Sequence, residues 1–473
     1  MSDTPIARRD LLRSLGLAPV AMWPLRAPAT TPGGVAELAR ELILLDRDAA
    51  FTRVDELRRG GLTPHQALSA IFLAGIQEIR PRPVGFKLHA VMMVASAHQI
   101  VRLSPPAERW LPVFWNLGDL KRAQARDAAE GDWSLAPRVV GATDDPLGGL
   151  AAALLGDDED AADRASVAAF ATSDLDETFD ALWPRALGDY HNLGHKIIHA
   201  AQSRRALDQL GWSHGEPVLR ALAYALVAKG DDRARATWPA TVAASKTLPL
   251  NWALGESEPG AALAILAALR PLDAEGAIAT VAKASQDGAS AATLLDALRL
   301  RALELLLNRP TLLAVHPLTA LNAFRTVIAR SAHVDTRRHA LLQCAAWLGH
   351  YRSDLRVGDG DRAIDTLGAT ATSEPAGQVL AVAAENRDLA VAHAMHVART
   401  PTGRQGMIEA ARAVLVRKAQ EHHDYKFAAA IFEEVGAAHP ALAPRVLASA
   451  FVYLRHAGET ETPDVTRALQ LVG

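Results

Sequence analysis

The sequence predicts an all-α fold, an irregular array of roughly 18–20 helices that is partly solenoid-like. Three observations carry this. Hydrophobic residues make up 49% of the 473 residues but aromatics only 5%, so the apolar content is mostly Ala, Leu and Val, which suits close-packed helices. Apolar positions recur with a 3.6-residue period, and no run alternates with β-branched residues as a strand would. Short Gly, Pro and Asp breaks separate these segments. Helix pairs of roughly 30–40 residues suggest a HEAT-like array, but no signature recurs at a fixed spacing. The expectation is one irregular helical domain over 31–473, with a sub-boundary near 143–164.

Residues 1–30 resemble a twin-arginine export signal. Arg8 and Arg9 are adjacent, Leu11, Leu12 and Arg13 follow, an apolar run spans 15–25, and Ala27-Pro28-Ala29 offers small residues for cleavage. Export would make the protein periplasmic; the alternative is an amphipathic first helix on a cytoplasmic protein. No other segment reaches eighteen uncharged apolar residues, so no transmembrane span is expected.

Two helices follow over 34–79; the second opens with Thr63 as N-cap and Pro64 in the first turn. An apolar helix over 85–103 carries His89 and His98 on opposite faces, nine residues apart. After Ser104-Pro105-Pro106, the aromatics Trp110, Phe114 and Trp115 read as core anchors. The acidic stretch with Asp157, Asp158 and Asp160 lacks the spacing of a calcium loop and reads as a solvated face. Helices then continue to residue 456, one of them over 189–210.

Charge and composition exclude several classes. The net charge is −3 and no basic run is dense enough for a nucleic-acid groove. One cysteine, Cys344 within an apolar helix, excludes disulfides and thiolate metal sites within the chain. No GxSxG elbow, phosphate-binding glycine loop or separable carboxylate pair is present. Seventeen histidines remain, so any metal site would use N and O donors.

The leading constellation is His191, His195 and His199, each four residues from the next, which on a helix form one column. The Glu of an HExxH motif is missing, so a metal would need ligands from other helices; the alternative is a polar helix face. His316 opens a helix with Thr319 and Asn322, like a pocket rim, and His339 and His350 share a face. His422, His423, Asp424 and Lys426 open another helix. Here Asp424 could be an N-cap or could orient an imidazole, and Lys426 could bind an anionic or peroxidic oxygen. His393 and His396 form a weaker pair.

The order of these motifs resembles the questin oxidase-like family. The matching residues are His89 with the stretch Trp110–Trp115; His195, Ile198 and Leu222-Ala223-Tyr224; His316-Pro317-Leu318-Thr319; and His422, His423, Asp424 and Lys426. His199 and Gln202 stand where the family often has Arg and Tyr. The resemblance implies a mostly helical oxidoreductase that inserts oxygen in the Baeyer–Villiger manner into a small, aromatic substrate. NADPH would be the candidate reductant, or a His-ligated metal or haem the cofactor. Taken with the spacing argument, the expected site is a pocket lined by His89, His191, His195, His316, His423 and Lys426, and the candidate metal set from spacing is His191, His195 and His199. Two rival readings stand beside it: a non-enzymatic helical binding or scaffold protein, and an exported metal- or haem-binding redox protein.

Overall fold

The computed structural model describes residues 32–473 apart from 142, 228–231, 359–360 and 374. The twin-arginine reading of residues 1–30 lies outside the described residues. Among those described there are 23 α-helices, six short 3-10 helices and no strand. The class is all-α. The helices outnumber the expected 18–20 because several are too short to show a period, such as His89–Met92 and Ala443–Ser449.

Two compact units form, each from separated parts of the chain. The first comprises Asp232–Ala411 and Ala430–Gly458; the second comprises residues 32–231, 412–429 and 459–473. The stretch 143–164 lies inside the second unit and holds parts of two helices, Pro146–Leu155 and Glu159–Thr172. Its acidic residues do defined work. Asp145 and Asp158 cap those helices, Asp157 pairs with Arg185 at 3.1 Å, and Asp160 pairs with Arg138 at 2.8 Å.

The first unit is built on the helix Ala291–Asn308, which is buried on nearly every side. An all-apolar helix would satisfy that position, yet this one carries Asp296, Arg299, Arg301 and Glu304, all buried. Their charges are met by ion pairs, because an unpaired buried charge is prohibitively costly. Glu434 is the hub: it accepts from Arg299 Nε at 2.8 Å, from Asn322 Nδ2 at 2.8 Å and from Arg325. Burial alone would raise the Glu434 carboxyl. The Arg325 and Arg299 guanidiniums outweigh it and hold the pKa at about 2. The segment Leu312–Arg330 is apolar and long enough to cross a membrane, but 89% of its apolar stretch is buried inside the protein, as in a core helix. Cys344 is buried in this unit, and burial pushes its thiol up, which keeps it inert.

The second unit is organised round the helix Pro64–Glu78. It starts as the sequence predicts: Thr63 and Gln66 close a capping box, with Pro64 in the first turn. Ala67 to Ile76 are all buried, and Pro32–Leu44, Val94–Leu103, Leu111–Ala129 and Gly215–Val227 pack around them. The expected helix over 85–103 is broken into Phe86–Leu88, His89–Met92 and Val94–Leu103. His98 leaves His89 and pairs with His65, Nδ1 to Nδ1 at 2.8 Å.

Replacing Glu434 by Gln removes the charge that compensates Arg299 and Arg325. We expect a loss of about 3–5 kcal/mol, read as a lower denaturation midpoint by circular dichroism. Because the folded pKa lies below the unfolded one, the wild-type contribution is complete above pH 4.5 and disappears as pH falls to about 2. The Gln variant should lose stability less steeply across that window; an unchanged midpoint and slope would contradict the assignment.

Candidate functional site

The site in the second unit begins with a pinned loop. Buried Asp127 accepts the backbone N–H of Arg80 at 2.9 Å and of Trp133 at 2.8 Å, and takes the Lys87 ammonium at 2.5 Å. This fixes residues 80–88 over the helix Leu111–Ala129, and His89 follows directly. Gly85, at φ +114°, is required here: a Cβ would stand 2.9 Å from Asn192 Nδ2. Asn192 uses that approach to donate to the Val84 carbonyl at 2.6 Å.

The stretch 191–194 is not the start of a regular helix. Asn192, Leu193 and Gly194 lie in the left-handed region at φ 53°, 61° and 76°. Asn and Gly tolerate this; Leu193 costs roughly 1–2 kcal/mol there. Asp189 Oδ1 accepts the His191 N–H at 2.9 Å, and the Gly194 N–H reaches the Tyr190 carbonyl at 2.9 Å. The expected column of His191, His195 and His199 is therefore interrupted, because left-handed residues break the i, i+4 register. His191 is exposed and lines a cleft with Lys196, while His195 is buried. Lys196 is buried too, its ammonium 2.5 Å from Asp189.

The turn sets the chemistry of His195 by placing the Asn192 carbonyl against its Nδ1. His89 has the same arrangement, Nδ1 at 2.7 Å from the Phe86 carbonyl. A carbonyl only accepts, so each Nδ1 carries the proton and each Nε2 presents a lone pair. Those two Nε2 atoms face one another at 2.9 Å. Two lone pairs at that distance repel unless a proton or a metal ion lies between them.

The segment 412–429 completes the cluster. His422 stacks on His89 with ring centres 4.1 Å apart, and His423 lies 4.4 Å from the same ring. Glu421 Oε2 is 3.2 Å from His423 Nδ1. Asp424 is not the N-cap. It sits inside the first turn and accepts the backbone N–H groups of Gln420 and Glu421 at 2.8 and 3.1 Å, and Glu421 is a carboxylate beside the imidazole. Trp115 anchors this segment through its indole N–H to the Ala419 carbonyl at 3.1 Å and its ring contact with Tyr425.

Burial, then the charges of Lys426 and the neighbouring imidazoles, hold the His89 pKa well below its usual range, so the ring is neutral and able to bind a cation. Lys426 is buried, its Nζ has no hydrogen-bond partner among the described residues, and burial lowers its pKa to about 7 against the pull of Glu421. His199 is buried beyond His195, with its Nε2 likewise unpartnered among the described residues; burial and then Lys426 lower its pKa to about 3.

Of the expected site residues, the second unit brings together His89, His195 and His423, whose ligand atoms lie within 4.8 Å of one another. Lys426 is electrostatically coupled to them. His316 belongs to the first unit, where it is buried with Nδ1 3.0 Å from the Leu312 carbonyl. Glu421 is not singled out by the sequence, and His422 only as part of the constellation at 422–426, yet with His423 they form a second group of ligand atoms within 4.8 Å. The signal for them was Glu-His-His at a helix start. The pair His65–His98 had none.

No known protein family, curated protein or solved structure matches this chain.

The contact between Gly85 and Asn192 is testable. Gly85→Ala should destabilise the protein by about 1–3 kcal/mol and shift the His195 imidazole resonances in NMR. Gly141→Ala, where a Cβ would meet nothing within 4 Å, should change neither. Equal effects from both would show that no close approach exists at Gly85.

Proposed function

We propose that the second unit holds a transition-metal ion on His89, His195 and His423, and that the protein is a helical oxidoreductase working through it. The observation that carries this is the pair of Nε2 atoms 2.9 Å apart, each on a ring whose Nδ1 is tied to a backbone carbonyl. Carbonyls behind the rings fix the tautomer and raise ligand basicity, as at known metal sites. Two nitrogens bound at right angles at about 2.0–2.1 Å from a metal lie about 2.9 Å apart, whereas a tetrahedral angle spreads them to about 3.3 Å. The spacing thus suits adjacent positions of an octahedral or square site. With Glu421 alongside, the donor set is nitrogen and oxygen, suited to iron, manganese or copper.

The resemblance to the questin oxidase-like family supplies the reaction class. A ketone, O2, NADPH and a proton would give an ester, NADP+ and water: one oxygen atom enters the C–C bond beside the carbonyl, the other leaves as water, and NADPH supplies two electrons. Lys426 would supply a hydrogen-bond donor inside the site. A second reading has its own support, because 2.9 Å is also the length of an N–H···N hydrogen bond. His89 and His195 would then share a proton and act as a metal-free acid–base pair.

Purification without chelator, followed by elemental analysis and a visible spectrum, separates the two. We expect about one equivalent of a transition metal, lost in His89→Ala and His195→Ala while helicity is retained. Protein that stays metal-free after incubation with Fe(II), Mn(II), Cu(II) and Zn(II) would remove the metal reading. Failure of aromatic ketones to couple NADPH oxidation to O2 uptake would remove the oxidoreductase reading.

A further inference from the structure

We infer that the second unit has a separate binding site for an oxyanion, the carboxylate or phosphate group of a small organic ligand, in the cleft walled by Arg80, Arg82, His191 and Lys196. The cleft measures about 310 Å³, and none of its lining residues is acidic. Four nitrogen-bearing side chains converge on it from two separate segments, 80–84 and 191–196, and Val84 supplies an apolar surface between them.

The charges there are only partly neutralised. Lys196 is met by Asp189, and Arg185 beside it is met chiefly by Asp157 at 3.1 Å, so the unpaired charge of the cleft lies on Arg80. Arg82 pairs with Glu159, which is half-exposed, and its guanidinium carbon lies 3.6 Å from the centre of the Tyr224 ring. Glu159 and Tyr224 hold the Arg82 guanidinium in place at the cleft wall. The Arg80 side chain makes no ion pair or hydrogen bond among the described residues, although its backbone is held by Asp127. The exposed His191 ring has no side-chain partner among them either.

These positions are fixed before any ligand arrives. Asp127 anchors the backbone at Arg80, Asn192 ties its own turn to the Val84 carbonyl, and Asp189 holds both the His191 N–H and the Lys196 ammonium. The left-handed turn that sends His195 to the imidazole cluster is what turns His191 toward the cleft. A preformed set of donors with an excess of positive charge, beside an apolar wall, is the chemistry that recognises an oxyanion on a small organic molecule. This site stands whether or not the imidazole cluster holds a metal.

The test is calorimetric titration of the full chain at constant ionic strength, with inorganic phosphate in one arm and benzoate in the other. We expect saturable binding of at least one probe, weakened at least about tenfold in Arg80→Gln. Arg362→Gln, a surface arginine of the first unit, should leave it unchanged. Phosphate alone binding would assign a phosphate ligand, and benzoate alone a carboxylate. Neither probe saturating, or Arg80→Gln binding as well as wild type, would overturn the inference. Arg80 is exposed, so that variant should keep the wild-type melting temperature, and its metal content should match wild type. Failure here is thus distinguishable from failure of the metal reading.

Discussion

One buried carboxylate underlies the histidine site. Asp127 takes two backbone N–H groups and one ammonium, and so converts a proline-rich loop that would otherwise fray into a fixed wall. A carboxylate with three donors in a dry environment is satisfied, and satisfied buried polar groups impose a single geometry. From that wall the rest follows in order. Gly85 can approach Asn192, Asn192 can hold its turn, and the turn can present one carbonyl to His195. His89, two residues beyond Lys87, meets it.

The same logic recurs in the first unit, again around a buried carboxylate. There Glu434 gathers two guanidiniums and an amide, and the helix Ala291–Asn308 carries charges through a core that apolar residues could have filled. Such networks are often no more stable than an apolar core of the same volume. What they do is fix register, because a helix slipped by one residue would strand several charges at once.

The helices were legible because an alanine- and leucine-rich chain shows its period plainly, and Thr63-Pro64 marked a start that the structure keeps. The imidazole column was not, for a reason confined to three residues. Sequence spacing converts to a face only if every intervening residue is right-handed, and Asn192-Leu193-Gly194 is not. Asn and Gly are the residues that permit such a turn, yet Leu193 between them argues for helix. His89, His195 and His423 were each identifiable as unusual, but their meeting depends on contacts between segments hundreds of residues apart. Nothing in the spacing of Glu421 sets it apart from the chain's other acidic residues. The interleaving of the two units left no trace at all, since no linker composition marks the crossings at 231, 411, 429 and 458.

That interleaving has a consequence for how the protein is made. The second unit takes its first part from residues 32–231, but its third imidazole comes from residue 423. A closing helix, Pro463–Val472, packs on Leu111–Ala129 only after that, and Asp464 then receives Arg47 at 2.5 Å and Arg122. On a ribosome adding about 5–20 residues per second, the early segment waits tens of seconds with its apolar faces uncovered. His89 and His195 are thus on hand long before the cluster can close. Assembly of the site is a late event of synthesis, and a chain truncated anywhere before residue 423 lacks its third imidazole.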